Sequence, residues 1–396
     1  MTAEHETWCR VLIVDHDLFL YGSQQYVLRQ ADLLERHGVE LVLAGPAKGE
    51  LAKAWRDTGR RHVALETPRF RTLNTPSGRP SPLRLVRESY RVLRGTWRTA
   101  RVARQVRADV LDANGYGWAF NEVVLAGWLL RRPTLVHLHM RVEPSSVRLA
   151  RAIAVRGATA TIGVSNAVAQ SLPAWARRRL RVIHSGIDSN RFTAGPADPV
   201  LRAQFTDDPD AAIILIVARV TPGKGIDHAI RAVAELPPHL ATTHLAIAGA
   251  AFDPAYEQSL RKLGEELLGD RVHFLGPRTD VAQLLRTASA VVLPSESEGL
   301  PLSLLEAQAS GTPTVAYPAG GCAELIRHDE TGLLAQQGNV QDLSRQLARL
   351  LSDPALAKEL ADNALNNVAA HHTMQRQSDA HVAVFRQLTR RGRDQG

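Results

Sequence analysis

Short apolar runs alternate with stretches of helical periodicity along this chain. Residues 11–15 read as a first strand, Gly22-Ser23 opens a helix that continues to about His37, and Gly38 stands where a helix-ending glycine belongs. Residues 39–44 supply the next strand, and further strands follow near 110–113, 134–138, 159–164 and 181–184. Strands alternating with helices predict a mostly parallel sheet covered on both faces. Residues 193–210, with three prolines and four aspartates, have little apolar periodicity and read as a linker. A second alternating set begins beyond it, with strands at 213–217, 244–248, 272–275, 290–293 and 314–316. The expected fold class is α/β, with two doubly wound, Rossmann-like domains facing each other across a cleft. Their expected bounds are 1–192 and 211–374, with a C-terminal helix at 375–396 that crosses back to the first domain.

Composition narrows this only slightly. The chain has 396 residues, 44% hydrophobic and 22% charged, which excludes a disordered or fibrous protein. The apolar runs are about eight residues long, far short of the roughly 20 needed to span a bilayer. The sequence opens Met1-Thr2-Ala3-Glu4-His5-Glu6, acidic where a signal peptide would be basic, so the expected location is the cytoplasm. Cys9 and Cys322 are the only cysteines, which leaves no disulfide framework or clustered zinc site.

Charge changes the picture more. Residues 1–190 carry 29 Lys and Arg against 16 Asp and Glu, whereas residues 191–396 carry 19 against 24. The basic half suits an anionic partner. Within it, Ser81-Pro82 can start a helix on which Leu83, Val86, Tyr90, Leu93, Trp97, Ala100, Ala103 and Val106 recur every three or four residues. An arginine follows each of them. Either the apolar row packs on the sheet and the arginines stay in water, or this face meets anionic lipid headgroups or a phosphorylated acceptor, with the aliphatic arginine stems on apolar surface. The second possibility makes the protein peripheral to the inner membrane face through 81–107.

Three constellations could carry chemistry. Residues 294–307 read P-S-E-S-E-G-L-P-L-S-L-L-E-A, a strand end running into a helix that starts at about 302. The free N–H groups from Leu300 to Ser303 would face outward at the positive helix end, which suits a diphosphate. Glu298 and Glu306 could bracket a ligand and accept from sugar hydroxyls; taken alone, they also fit a helix-end carboxylate and a solvated surface position. Residues 218–225, A-R-V-T-P-G-K-G, offer Arg219 and Lys224 to one anion without matching a P-loop. His137 and His139 share one face at the end of a strand, where either could position a hydroxyl or simply be a hydrogen-bonded structural histidine. Asp15-His16-Asp17 looks like an acidic metal motif but has no third ligand nearby, and no metal site is expected.

Together these pieces resemble the retaining family 4 glycosyltransferases of the GT-B fold. The resemblance rests on E-G-L-P-L-S-L-L-E (298–306), A-R-V-T-P-G-K-G (218–225), V-S-N-A-V (164–168), V-I-H-S-G-I-D (182–188) and A-G-G-C-A-E-L-I (319–326). It implies a second domain that binds a nucleotide-diphosphate sugar and a first domain that binds a hydroxyl acceptor: a glycan, a lipid-linked saccharide or a specialised metabolite. Arg219 and Lys224 would hold the diphosphate and Glu306 the ribose, while Glu298 with Gly299, Leu300, Pro301, Leu302 and Ser303 would hold the donor sugar and phosphates. Arg278 would lie near the base, Gly22 near the donor phosphate and His139 on the acceptor side. Catalysis would fall to His139, Glu298, Arg219 and Lys224, with no metal and no cofactor beyond the nucleotide sugar as co-substrate, and no nucleic acid would be bound. Gly22 is followed by Ser23 where many members have a second glycine, Ser185 replaces a usual Asn, and Gly249-Ala250 lacks a common second glycine. The alternatives are a nucleotide-sugar 2-epimerase and a non-catalytic, nucleotide-sugar-binding partner subunit. A nicotinamide dehydrogenase is disfavoured because no G-x-G-x-x-G follows the first strand.

Overall fold

In a computed structural model of the chain, the described residues are 7–20, 22–66, 82–114, 119–141 and 146–393. They form two compact units, one from residues 1–184 with 374–396 and the other from 185–373.

The first unit contains β1 (Cys9–Val14), α1 (Gly22–Arg36), β2 (Val39–Gly45), α2 (Glu50–Asp57), β3 (His62–Ala64), α3 (Pro82–Val106), β4 (Val110–Ala113), α4 (Ala119–Leu130), β5 (Thr134–Leu138), α5 (Ser146–Gly157), β6 (Ala160–Gly163), α6 (Asn166–Gln170) and β7 (Leu180–Val182). Its seven strands are parallel in the order β3-β2-β1-β4-β5-β6-β7. Strands β1, β4 and β5 are buried almost throughout, as expected where helices cover both faces. With this strand order the right-handed crossover rule assigns α1 and α2 to one face and α3, α4 and α5 to the other, and α3 packs on α4 and α4 on α5. The strand order reverses between β1 and β4, which leaves a crevice at their carboxyl ends.

The second unit contains α7 (Pro199–Arg202), β8 (Ile213–Val217), α8 (Ile226–Ala234), β9 (His244–Ala248), α9 (Pro254–Leu268), β10 (Val272–Gly276), α10 (Val281–Thr287), β11 (Ala290–Leu293), α11 (Leu302–Ala309), β12 (Thr314–Ala316), α12 (Cys322–Leu325), β13 (Leu333–Leu334), α13 (Val340–Ser352) and α14 (Pro354–His371). Its six strands are parallel in the order β10-β9-β8-β11-β12-β13, with the reversal between β8 and β11. Ile214, Ile216, Ile247, Val292 and Val315 of the sheet meet Ile226, Ile230, Leu343 and Leu347 of the helices in one apolar core. Helix α15 (Met374–Arg393) then returns to the first unit, where it packs on α1 and buries Val382, Phe385 and Leu388.

Two expectations need correction. Residues 193–210 are no linker. Asp198 accepts from the Val200 and Leu201 N–H groups to cap α7, Leu201 and Phe205 are buried, and the Phe205 ring stands 5.3 Å from that of His273. The polar composition there is capping chemistry, and the chain changes unit at 184/185.

The second correction concerns α3. Its apolar row does not pack on the sheet: Leu83, Val86, Tyr90, Leu93 and Trp97 are 79, 67, 66, 63 and 59% exposed. Only Ala100, Ala103 and Val106 are buried, because each three-residue step after Trp97 carries the row back by about 60° around the helix. The inward face of the earlier turns holds Glu88, Val92, Gly95, Thr96 and Thr99. Glu88 pairs with Arg91 at 2.6 Å, and Arg91 lies 3.7 Å from the buried carboxylate of Glu122 on α4. A Cβ at position 95 would sit 2.4 Å from Cδ of Glu122, so the glycine gives the helices room to approach, and α3 runs through it unbroken. The suggested cap Ser81 lies outside the described residues.

Candidate functional site

In the second unit, the loops after β8 and β11 meet beside the strand reversal. Gly225, at φ 65°, starts α8; a Cβ there would lie 1.9 Å from the Pro294 carbonyl oxygen, so only glycine allows this approach. The Glu296 N–H also donates to the Gly223 carbonyl at 2.9 Å. A second close approach joins the loop before α12, where a Cβ on Gly321 would fall 2.1 Å from the Gly299 oxygen. This backbone frame sets Lys224 Nζ 2.6 Å from Glu298 Oε1, with 20 and 11% of the two side chains exposed. Helix α11 begins immediately afterwards, and Pro301 at its cap position offers no side-chain acceptor to the first turn. Gly299, Leu300 and Pro301 are buried, Leu302 and Ser303 are half-buried, and Glu306 is only 7% exposed. Arg219 is half-buried on the loop that carries Lys224. Burial, reinforced by the nearby Glu298 carboxylate, raises the Cys322 thiol, making it an inert filler and no nucleophile.

In the first unit, the carboxyl ends of β1, β4 and β5 bring Asp15, Asn114 and His139 into one hydrogen-bonded chain. Asn114 Nδ2 donates to Asp15 Oδ2 at 2.7 Å, and its Oδ1 lies 2.6 Å from His139 Nε2. Gln24 Nε2 reaches Asp15 at 2.9 Å and Asp17 at 3.0 Å. Burial raises the Asp15 carboxyl to about 7, against the hydrogen bonds that favour its ionised form. His139 is held well below its usual value by burial and by the neighbouring His137 and His381, so it is a neutral imidazole that donates to Asn114. Behind it, His137 Nδ1 lies 2.8 Å from Asp112, while its Nε2 is 3.2 Å from His381 Nε2 on α15. Tyr26 OH also contacts that His381 nitrogen at 3.1 Å. Burial lowers His381 to about 3. Gly22, exposed, is the first residue of α1.

The comparisons with known proteins bear on both units. The family model described as "Glycosyltransferase Family 4" matches residues 21–191, and that described as "Glycosyl transferases group 1" matches residues 198–367. The chain belongs to the family 4 glycosyltransferases. Its curated relatives include a D-inositol 3-phosphate glycosyltransferase of Streptomyces bingchenggensis, 34% identical over 48% of this chain and 43% of that protein. Another is the lipopolysaccharide core biosynthesis mannosyltransferase LpcC of Rhizobium leguminosarum, 34% identical over 46% of this chain and 52% of that protein. The matches thus span about half the length of these relatives. Among solved structures, Anabaena Alr3699/HepE in complex with UDP and glucose has a TM-score of 0.81 at 22% identity, covering 96% of this chain and all of that one. The sucrose-phosphate synthase of Thermosynechococcus elongatus reaches 0.76 at 21%, covering 96% of this chain and 99% of that one. The fold is GT-B.

In this family 4 member, Arg219 and Lys224 share the loop after β8, Glu298 to Pro301 lie on the loop before α11, and Leu302, Ser303 and Glu306 belong to α11, all in the second unit, while Gly22 and His139 lie in the first. Arg278, just beyond β10, is paired with Asp280 at 2.8 Å through its Nε. Sequence reasoning missed Asn114, Gln24, Tyr26 and His381, and read Asp15 only as part of a metal motif. Their signal was weak but present: Asp15 and Asn114 each directly follow a strand, at the edge where doubly wound sheets bind ligands. Among the described residues no group of three His, Cys, Asp or Glu side chains is arranged to hold a metal ion, and no helix is long and apolar enough to cross a membrane.

Proposed function

We propose that this chain transfers a sugar from a nucleotide-diphosphate donor to a hydroxyl acceptor, with retention at the anomeric carbon and without a metal. The observation that carries the reading is the start of α11, where an uncapped helix N-terminus lies beside the Lys224–Glu298 pair at the β8–β11 reversal. Open N–H groups and cations at a switch point suit a diphosphate. An ammonium has three donors, so Lys224 can keep one on Glu298 and turn the others to phosphate oxygens. Arg219 adds a planar fork from the same loop. The buried carboxylate of Glu306 suits ribose hydroxyls.

In the reaction, the bond from the anomeric carbon to the leaving phosphate breaks and a new bond forms to the acceptor oxygen. The acceptor proton passes to the departing phosphate. The charge that grows on that phosphate is what Arg219, Lys224 and the α11 amides stabilise, already oriented before the reaction begins. His139 works on the acceptor side as a neutral group oriented by Asn114 and Asp15. The UDP and glucose of the Anabaena neighbour make a UDP-sugar the first donor to try, and the D-inositol 3-phosphate relatives make a polyol phosphate the first acceptor. A cytoplasmic location, peripheral to a membrane, is part of the same proposal.

A thermal-shift panel of UDP-, GDP-, ADP- and dTDP-sugars tests the donor assignment. A ligand at 100 times its Kd adds about 2.7 kcal/mol of stability. One nucleotide class should raise the melting temperature clearly; no response to any of the four would overturn the proposal.

A further inference from the structure

Helix α3 is built inside out over its first four turns. Its glutamate and threonines face the protein, and Leu83, Val86, Tyr90, Leu93 and Trp97 face away from it. At 100° per residue these five fall within about 80° of arc, and they run for about 21 Å along the axis. Apolar patches of this extent are seldom left in water on a monomeric protein.

The charges beside the ridge choose the occupant. Arg87, Arg94, Arg101 and Arg104 are exposed on the same helix, and Arg98 is half-buried with its Nη1 donating to the Glu66 carbonyl at 2.8 Å. The Arg101 guanidinium lies 5.7 Å from the Trp97 ring centroid, so its stem covers apolar surface while its charge stays at the rim. The only acid from 82 to 106 is Glu88, which is turned inward. A two-fold dimer through this ridge would bring arginine rows together, because both copies present the same patch. An apolar ridge flanked along its own helix by exposed arginines fits an anionic lipid surface, where apolar side chains enter the acyl boundary and guanidinium groups stay among headgroups.

We propose that α3 docks this protein on an anionic membrane, with the ridge from Leu83 to Trp97 inserted and the flanking arginines on lipid phosphates. This claim rests on the peripheral location proposed above and not on the transfer step, since its assay reads vesicles and not turnover. The full chain should cosediment with vesicles containing phosphatidylglycerol and bind pure phosphatidylcholine vesicles at least about tenfold more weakly, and added salt should weaken the first interaction. Tyr90→Ser/Leu93→Ser/Trp97→Ser and Arg87→Glu/Arg94→Glu/Arg101→Glu should each reduce binding about tenfold or more, with melting temperature and nucleotide affinity unchanged, because these side chains are exposed. No binding to anionic vesicles, equal binding to both vesicle types, or full binding by both variants would overturn the proposal. So would a concentration-dependent dimer that the serine variant dissociates while vesicle binding persists, which would give the ridge to a second copy of the chain.

Discussion

Lys224→Ala removes a cation held 2.6 Å from Glu298. With 20 and 11% of the two side chains exposed, the pair lies between surface ion pairs, worth about 0.2–1 kcal/mol, and buried ones, whose disruption costs about 3–5 kcal/mol. A stability loss of about 1–2 kcal/mol is expected. If Lys224 also holds the diphosphate, a charge-assisted hydrogen bond worth about 1.5–3 kcal/mol is lost on binding, which is roughly ten- to hundredfold in Kd and in kcat/KM. The two effects separate in Lys224→Ala/Glu298→Gln. The second change neutralises the stranded carboxylate and should restore much of the melting temperature while leaving diphosphate affinity low. Calorimetric titration with the nucleoside diphosphate chosen by the panel, alongside thermal melts of the single and double variants, measures both. A Lys224→Ala protein that melts earlier but binds the diphosphate within about twofold of wild type would make the lysine purely structural and refute the reasoning.

His139→Ala should cut turnover while leaving fold and nucleotide affinity intact, because its partners Asn114 and Asp15 belong to the first unit; steady-state kinetics with separate donor titration would show otherwise as a raised donor Kd. Asp15→Asn changes the pH response. A carboxyl raised from 3.8 to about 7 binds more protons folded than unfolded across that window, so it destabilises the wild type as pH rises from about 4 to 7. Over that rise the variant should gain stability relative to wild type by on the order of 3 kcal/mol, read from urea unfolding at both ends; a constant difference would mean that Asp15 titrates normally. Gly225→Ala should cost more than about 2 kcal/mol and weaken donor binding, because the new Cβ collides with the Pro294 carbonyl at a left-handed φ; an unchanged melting temperature would contradict that contact.

Most strands were legible because they are short apolar runs bounded by polar loops, and the α11 loop was legible because glycine, proline and two glutamates stand at fixed spacing before and within a helix. The short edge strands β3 and β13, three and two residues long, carry too little pattern to be read. Periodicity grouped Leu83, Val86, Tyr90, Leu93 and Trp97 on one face of α3, but it carries no sign. Which face turns inward is decided by a residue far along the chain, Glu122, against which Gly95 and the Arg91–Glu88 pair are fitted. The same limit hid the Asp15–Asn114–His139 chain and the contact of His381 with His137, whose members are up to 244 residues apart. The linker reading failed because a composition rich in proline and aspartate, with little apolar periodicity, here includes a helix cap, Asp198, followed by Pro199 in the first turn.

Transfer itself is the most direct test of the central claim. Incubating the chain with the preferred nucleotide sugar, with and without a hydroxyl acceptor drawn from polyol phosphates and lipid-linked saccharides, and following nucleoside diphosphate release by chromatography and the product by proton NMR, reads both halves of the reaction. The account predicts acceptor-dependent release in the presence of EDTA, a product with the donor's anomeric configuration, and at least about tenfold lower turnover in Arg219→Ala and Lys224→Ala. Tight donor binding with no product from any acceptor, or an inverted product, would contradict it.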